Sequence, residues 1–161
     1  PIVAENGKVR DYVFKAQKRG IVFDVGHGGG SFIFKQAIPA VQQGLKPNVI
    51  STDLHTGSMN GGMKNINNVM SKFLNMGLSI QEIIATTTSK PAQYIQRKDL
   101  GHLSVGAEAD VAILNVRKGN FGFIDTHGKR MKGKQKIECE LTLRAGNIVY
   151  DLNGLASNDW K

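Results

Sequence analysis

The sequence of 161 residues contains a single cysteine, Cys139, so no disulfide can close within it and a disulfide-stapled scaffold is excluded. A lone thiol fits a reducing, cytoplasmic setting, and its position in the strand-like KIECELTLR reads as structural. No apolar run approaches the roughly 18 residues that a membrane helix needs, so no membrane partner is expected. No signal peptide opens the chain, and it begins on Pro1 rather than Met, which suggests processing or a larger parent. Acidic residues are outnumbered, 13 against 21 Lys and Arg, for a net charge of +8. Such a balance raises the question of nucleic acid. Much of the excess sits at Lys129, Arg130, Lys132, Lys134 and Lys136 in GKRMKGKQK, where no aromatic side chain is interleaved to stack on bases. That segment is expected to be a solvated hairpin loop, and nucleic acid is not the expected partner.

What remains is a globular composition, 40% hydrophobic and 21% charged, long enough for one ordinary domain. Asn6-Gly7 marks a turn, and a weak helix from Val9 to Arg19 ends at Gly20. IVFDV reads as a buried strand from Ile21 to Val25. Ser31 is placed to cap a helix carrying Phe34, Ala37, Ile38 and Val41, with Pro39 inside it and Gly44 at its end. Asn48 to Thr52 is the next strand, which completes a βαβ unit with a parallel pair. Ile66, Val69, Met70, Phe73 and Leu74 follow at helical spacing up to Gly77. Ser79 and Glu82 form a capping box for a helix near Ile80, and Ser89-Lys90-Pro91 opens a short helix through about Gln96. From Leu100 the pattern turns to short β segments, DVAILNV, FGFIDTH, KIECELTLR and NIVYD, with Ala145-Gly146-Asn147 as a tight hairpin. There is no internal repeat.

Two strand ends carry chemical groups. FDVGHGGGSF places His27 after an apolar run and before three glycines, and VISTDLH places Asp53 and His55 at the next strand end. In parallel α/β sheets ligands bind at the carboxyl ends of strands, so Asp53 and His27 are candidates to face one site. A carboxylate there can ligate a divalent metal and accept a proton from water; an imidazole can ligate, donate or relay. The alternative is that Asp53 caps a loop and His27 is a satisfied histidine. HGGG also occurs in esterase oxyanion holes, but the G-x-S-x-G elbow which that chemistry needs is absent, as is the Gly-Lys-Ser/Thr ending of a P-loop. Gly28, Gly29 and Gly30 permit close backbone approach to a ligand. His102 and His127 read as surface or structural.

These motifs, in this order, resemble the amidohydrolase superfamily, in the branch labelled dihydroorotase-like, adenine-deaminase-like or D-amino-acid deacetylase. FDVGHGGGSF is similar to the seventh barrel strand and its loop, and VISTDLH to the eighth. SKPAQYIQRKDLGHLSVGAEADVAILNV resembles the exit from the barrel, and ECELTLRAGNIVYD the closing strands of an accompanying β-sandwich. The resemblance implies an α/β fold: the last two βα strands of a (β/α)8 TIM-type barrel in residues 1–98, then C-terminal strands of a small β-sandwich in residues 99–161. It implies one or two divalent ions, zinc in most such enzymes, and attack of a metal-activated hydroxide on an amide, acyl ester or cyclic amide. Asp53 would be metal ligand and proton shuttle, with His27 beside the substrate as a catalytic candidate. Gly28, Gly29, Gly30, Ser31 and His55 would line the substrate site.

The family's remaining ligands, a His-x-His, a lysine and two further histidines on earlier strands, have no place here. A complete barrel takes about 250 residues, and a catalytic zinc site about three protein ligands. The expectation is therefore a C-terminal portion, inactive without its missing N-terminal portion, acting on a small-molecule acyl-amide or ester once completed, and homo-oligomeric. The competing expectation is a non-catalytic binding module that uses the basic segment for an anionic partner.

Overall fold

The computed structural model describes residues 1–161, and in it a short parallel βαβ unit is followed by helices and a long antiparallel hairpin. Helix α1 (Asp11–Lys18) carries Asp11 in its first turn and Lys15 and Lys18 in its last, the arrangement that opposes the helix dipole. Strand β1 (Asp24–Gly26) leads through α2 (Phe34–Gln42) to β2 (Val49–Ser51), and the two strands pair in parallel with Val25 opposite Ile50. The expected βαβ unit is thus present.

Helix α3 (Ile66–Met76) starts at Asn65, whose side chain accepts from the Asn68 N–H, and stops at Gly77 with φ 111°. Helix α4 (Ile80–Thr87) opens on the expected capping box: Ser79 accepts from the Glu82 N–H, and the Glu82 carboxylate accepts from the Ser79 N–H. A short α5 (Ser89–Tyr94) precedes a strandless stretch, and then β3 (Val111–Ile124), β4 (Arg130–Arg144) and β5 (Asn147–Asp151) form one antiparallel sheet in that order. Ala145 and Gly146, at φ 48° and 77°, make the two-residue turn into β5.

Helix α3 ties the two sheets together. Its apolar face packs Val69 and Phe73 into a core that also holds Ile50 from β2, Phe123 from β3 and Ile137 from β4. On a second face, Ser71 Oγ accepts from the Ile137 N–H, and Asn75 accepts from the Lys134 and Gln135 N–H groups while donating to Gln135 O. A helix buried on two faces explains why Ser71 and Lys72 are as inaccessible as their apolar neighbours.

Several expectations are corrected. The strand expected at Ile21–Val25 is shorter and later, and Ile21 and Val22 are exposed because β2 offers pairing only opposite Asp24 to Gly26. Ser31 does not cap α2: the helix begins at Phe34 after Ile33, and the Phe34 N–H donates to the carboxylate of Asp125, 3.0 Å away. Phe32 must first turn inward onto the core, which delays the helix start. Most of the basic segment is strand rather than loop. Arg130 to Lys136 lie within β4, and the loop proper is Asp125–Lys129, because β3 runs unbroken through Gly119 and Gly122 by way of irregular pairing near Lys118 and Phe121. DVAILNV and FGFI, expected as separate segments, are one strand.

Candidate functional site

The ends of β1 and β2 lie side by side and are joined by a hydrogen bond from the Gly28 N–H to Thr52 O, 2.8 Å. Asp53 follows with φ 49°, a left-handed conformation that few residues other than glycine adopt, though aspartate tolerates it better than most. It points the carboxylate back over β1. A Cβ built on Gly28 would stand 2.5 Å from Asp53 Oδ2, and Gly28 itself has φ 48°. Glycine is therefore required at 28 for both space and conformation, and the carboxylate of Asp53 rests directly on the loop backbone.

Asp53 is exposed and takes part in none of the four ion pairs of the chain. Its main-chain oxygen accepts from His55 Nδ1 at 2.8 Å, which orients that exposed imidazole beside it with Nε2 left for solvent or a ligand. The His55 N–H donates to the buried hydroxyl of Ser58, 3.0 Å away, so the turn is held tightly. Gly29 approaches the Gly57 carbonyl and Ser58, whereas Gly30 and Ser31 face open space or solvent. The structure thus sets Asp53 at the end of β2 against Gly28 at the end of β1, with His55 beside Asp53 and Gly29 near Gly57 and Ser58.

His27 lies below this surface and is wholly buried. Its ring stacks on Phe32 with centroids 4.5 Å apart. Nε2 is 2.7 Å from the ammonium of Lys72, and Nδ1 is 3.1 Å from Gly28 O. Burial, aided by the Lys72 charge, lowers its pKa to about 4. Lys72 is equally buried, with its pKa lowered by burial to about 8, and it also donates to Gly62 O at 3.0 Å and Ile124 O at 2.8 Å. Close by, the buried Asp125 accepts from the Phe34, His127 and Lys129 N–H groups. Burial pushes its carboxyl up, but those three donors outweigh burial and hold it below the ordinary range.

Lys72 and Asp125 are the residues that sequence reasoning missed. A faint signal for the first is a lysine three residues after Val69 and next to Phe73, among the apolar positions of the helix; for the second, an aspartate opening the turn D-T-H-G. His102 and His127 are exposed, as expected. Cys139 is half-buried in β4 beside Thr142 Oγ1, 3.2 Å away.

The donor set decides what a metal could find here. No three His, Cys, Asp or Glu side chains gather anywhere in the chain. His27 Nε2 is occupied by the Lys72 ammonium, which leaves Asp53, exposed and free of ion pairs, as a suitable ligand. One carboxylate fits a place in a divalent site but falls short of the about three ligands such a site needs.

Residues 40–150 match the Amidohydrolase family. A "Deacetylase" of Enterococcus faecalis is 32% identical over 145 residues, an alignment covering 89% of this chain and 39% of that protein. Among solved structures, an adenine deaminase superposes with a TM-score of 0.87 at 31% identity, over 94% of this chain and 41% of that one. A dihydroorotase superposes with a TM-score of 0.79 at 30% identity, over 88% and 40%. The chain therefore spans about two-fifths of the length of each of these three proteins.

Proposed function

The chain belongs to the amidohydrolase family, and on that footing we propose that it forms the closing part of a metal-dependent hydrolase of amide, acyl ester or cyclic amide bonds. In this reading β1 and β2 are the last two strands of a (β/α)8 barrel, residues 1–98 belong to that barrel, and residues 99–161 to an accompanying β-sandwich. The observation that carries it is the exposed carboxylate of Asp53, turned by a left-handed backbone onto the glycine loop at the neighbouring strand end. A carboxylate so placed, at the carboxyl ends of parallel strands, stands where such folds do their chemistry.

A divalent ion held in part by Asp53, zinc by analogy with the family, would polarise the scissile carbonyl and ease deprotonation of water. Asp53 accepts the proton of the attacking water on its carboxylate and returns it to the leaving nitrogen or oxygen. Gly28 gives that carboxylate room, and Gly29, Gly30 and Ser31 leave the backbone open to an acyl or carboxylate oxygen of the substrate. His55, aligned by its Nδ1–H on Asp53 O, presents Nε2 to the same space. The remaining metal ligands come from outside these residues, because this chain supplies one. No helix is long and apolar enough to cross a membrane.

The test is Asp53→Asn in the protein assembled with the residues that complete the site, assayed on an N-acyl amino acid and a cyclic amide. Hydrolysis is expected to fall by about 10²- to 10⁴-fold, the range that general acid–base groups contribute, without loss of folding. A near-normal rate sinks the role assigned to Asp53.

A further inference from the structure

The buried pair beneath the site has a chemistry of its own. An ammonium carries three N–H donors, and Lys72 has three acceptors within reach: His27 Nε2, Gly62 O and Ile124 O. Two arrangements satisfy those contacts. Either a charged lysine donates to a lone pair on Nε2, or a neutral amine accepts from an Nε2–H. The far side of the ring decides between them. Nδ1 faces the Gly28 carbonyl at 3.1 Å, and an unprotonated Nδ1 there would set lone pair against lone pair. Placing the proton on Nδ1 satisfies Gly28 O and leaves Nε2 to accept from the ammonium.

The contacts of Lys72 also join three parts of the chain that share no secondary structure. His27 follows β1, Gly62 closes the glycine-rich loop after β2, and Ile124 ends β3. These parts fit closely: a Cβ on Gly62 would collide with the carbonyl oxygens of Ile124 and Asp125. Gly28, whose carbonyl His27 grips, is the residue against which Asp53 Oδ2 rests.

We propose that Lys72 is a positioning residue: its ammonium locks His27 as the Nδ1–H tautomer, and the imidazole in turn fixes the Gly28 carbonyl and the loop that seats the Asp53 carboxylate. His27 then touches neither substrate nor metal, since Nε2 is closed off by the ammonium. Its service to the site is mechanical, through Gly28. The lock itself depends only on these contacts; its consequence for catalysis rests on the function proposed above.

The tautomer can be read directly. In the full chain with ¹⁵N-labelled histidine, long-range ¹H–¹⁵N correlation at pH 7 is expected to show His27, assigned through its own backbone, with Nδ1 protonated and Nε2 bare. Lys72→Met keeps most of the side chain's volume and removes the donor. It is expected to abolish that single pattern, shift the Gly28 and Gly29 amide signals, and leave those of α4 in place. An Nε2–H tautomer in the unaltered chain overturns the proposal, as does an unchanged His27 spectrum in K72M. If K72M does not fold, the spectrum of the unaltered chain still decides. The two readings fail separately: Asp53→Asn can abolish hydrolysis while the His27 spectrum refutes the lock, and the reverse outcome leaves the lock without the enzyme.

Discussion

Gly28 and Asp53 meet as single residues, and each constrains what the other can be. A side chain at 28 would have to adopt the left-handed backbone, at about 1–2 kcal/mol, and its Cβ would displace the Asp53 carboxylate. Gly28→Ala is therefore expected to lower stability by about that amount and to cost more in activity than in folding. Thermal melts beside turnover of the assembled enzyme separate the two effects; equal losses would show that the Gly28 contact serves folding alone. At this scale His27 and Asp53 also part company, although both follow a parallel strand. One is wholly buried under an ammonium, the other open to solvent.

Helix α2 begins where a residue 91 positions away in the sequence lets it begin. The carboxylate of Asp125 takes the first free N–H of the helix and also holds the Asp125–Lys129 turn through the His127 and Lys129 amides. Replacing it by asparagine removes the charge and is expected to cost about 1.5–3 kcal/mol, the range for bonds to a charged acceptor. The sign of the pH effect follows from the lowered pKa. The folded chain releases this proton more readily than the unfolded one, so the stabilisation is complete above the ordinary aspartate value, about 4. It is lost as pH falls through the lower folded value. Urea titrations between neutral and acid pH should show a steeper acid decline in the unaltered chain than in D125N; parallel curves would remove Asp125 from this role.

Across the whole molecule, one core crosses from the parallel strands to the antiparallel hairpin. Phe73 touches the centre of it, in contact with Phe32 across 5.9 Å between centroids, and shares the cluster with Ile50 and Phe123. Phe73→Ala is expected to cost about 3–5 kcal/mol and to loosen β2 and β4 together. Hydrogen exchange would reveal it as a common fall in protection; a loss confined to one side would make the two parts independent units. The basic side chains contribute little to any such unit. Lys136 pairs with Glu138, Lys134 reaches Asn120, and the row is part of a strand rather than a free loop.

Local signals were strong where a residue's job is done by its chain neighbours. The helix from Ile66 up to Gly77, the Ser79–Glu82 capping box and the Ala145-Gly146 turn follow from spacing, caps and backbone freedom within a few residues, and the parallel βαβ unit from the order of its elements. Asp53 and the glycines each stand at a strand end that the sequence marks, and the parallel pairing of β1 and β2 sets those two ends side by side. What only tertiary structure decided involves partners distant in sequence. Asp125 replaced Ser31 as the cap of α2, and the basic segment from Arg130 to Lys136 became a strand because β3 and α3 supply its backbone partners. Lys72 lies buried because α3 is covered on two faces, so its charge had to find His27 and two carbonyls rather than water. A desolvated ammonium must be satisfied by whatever the fold brings to it, and no local pattern records which groups those are.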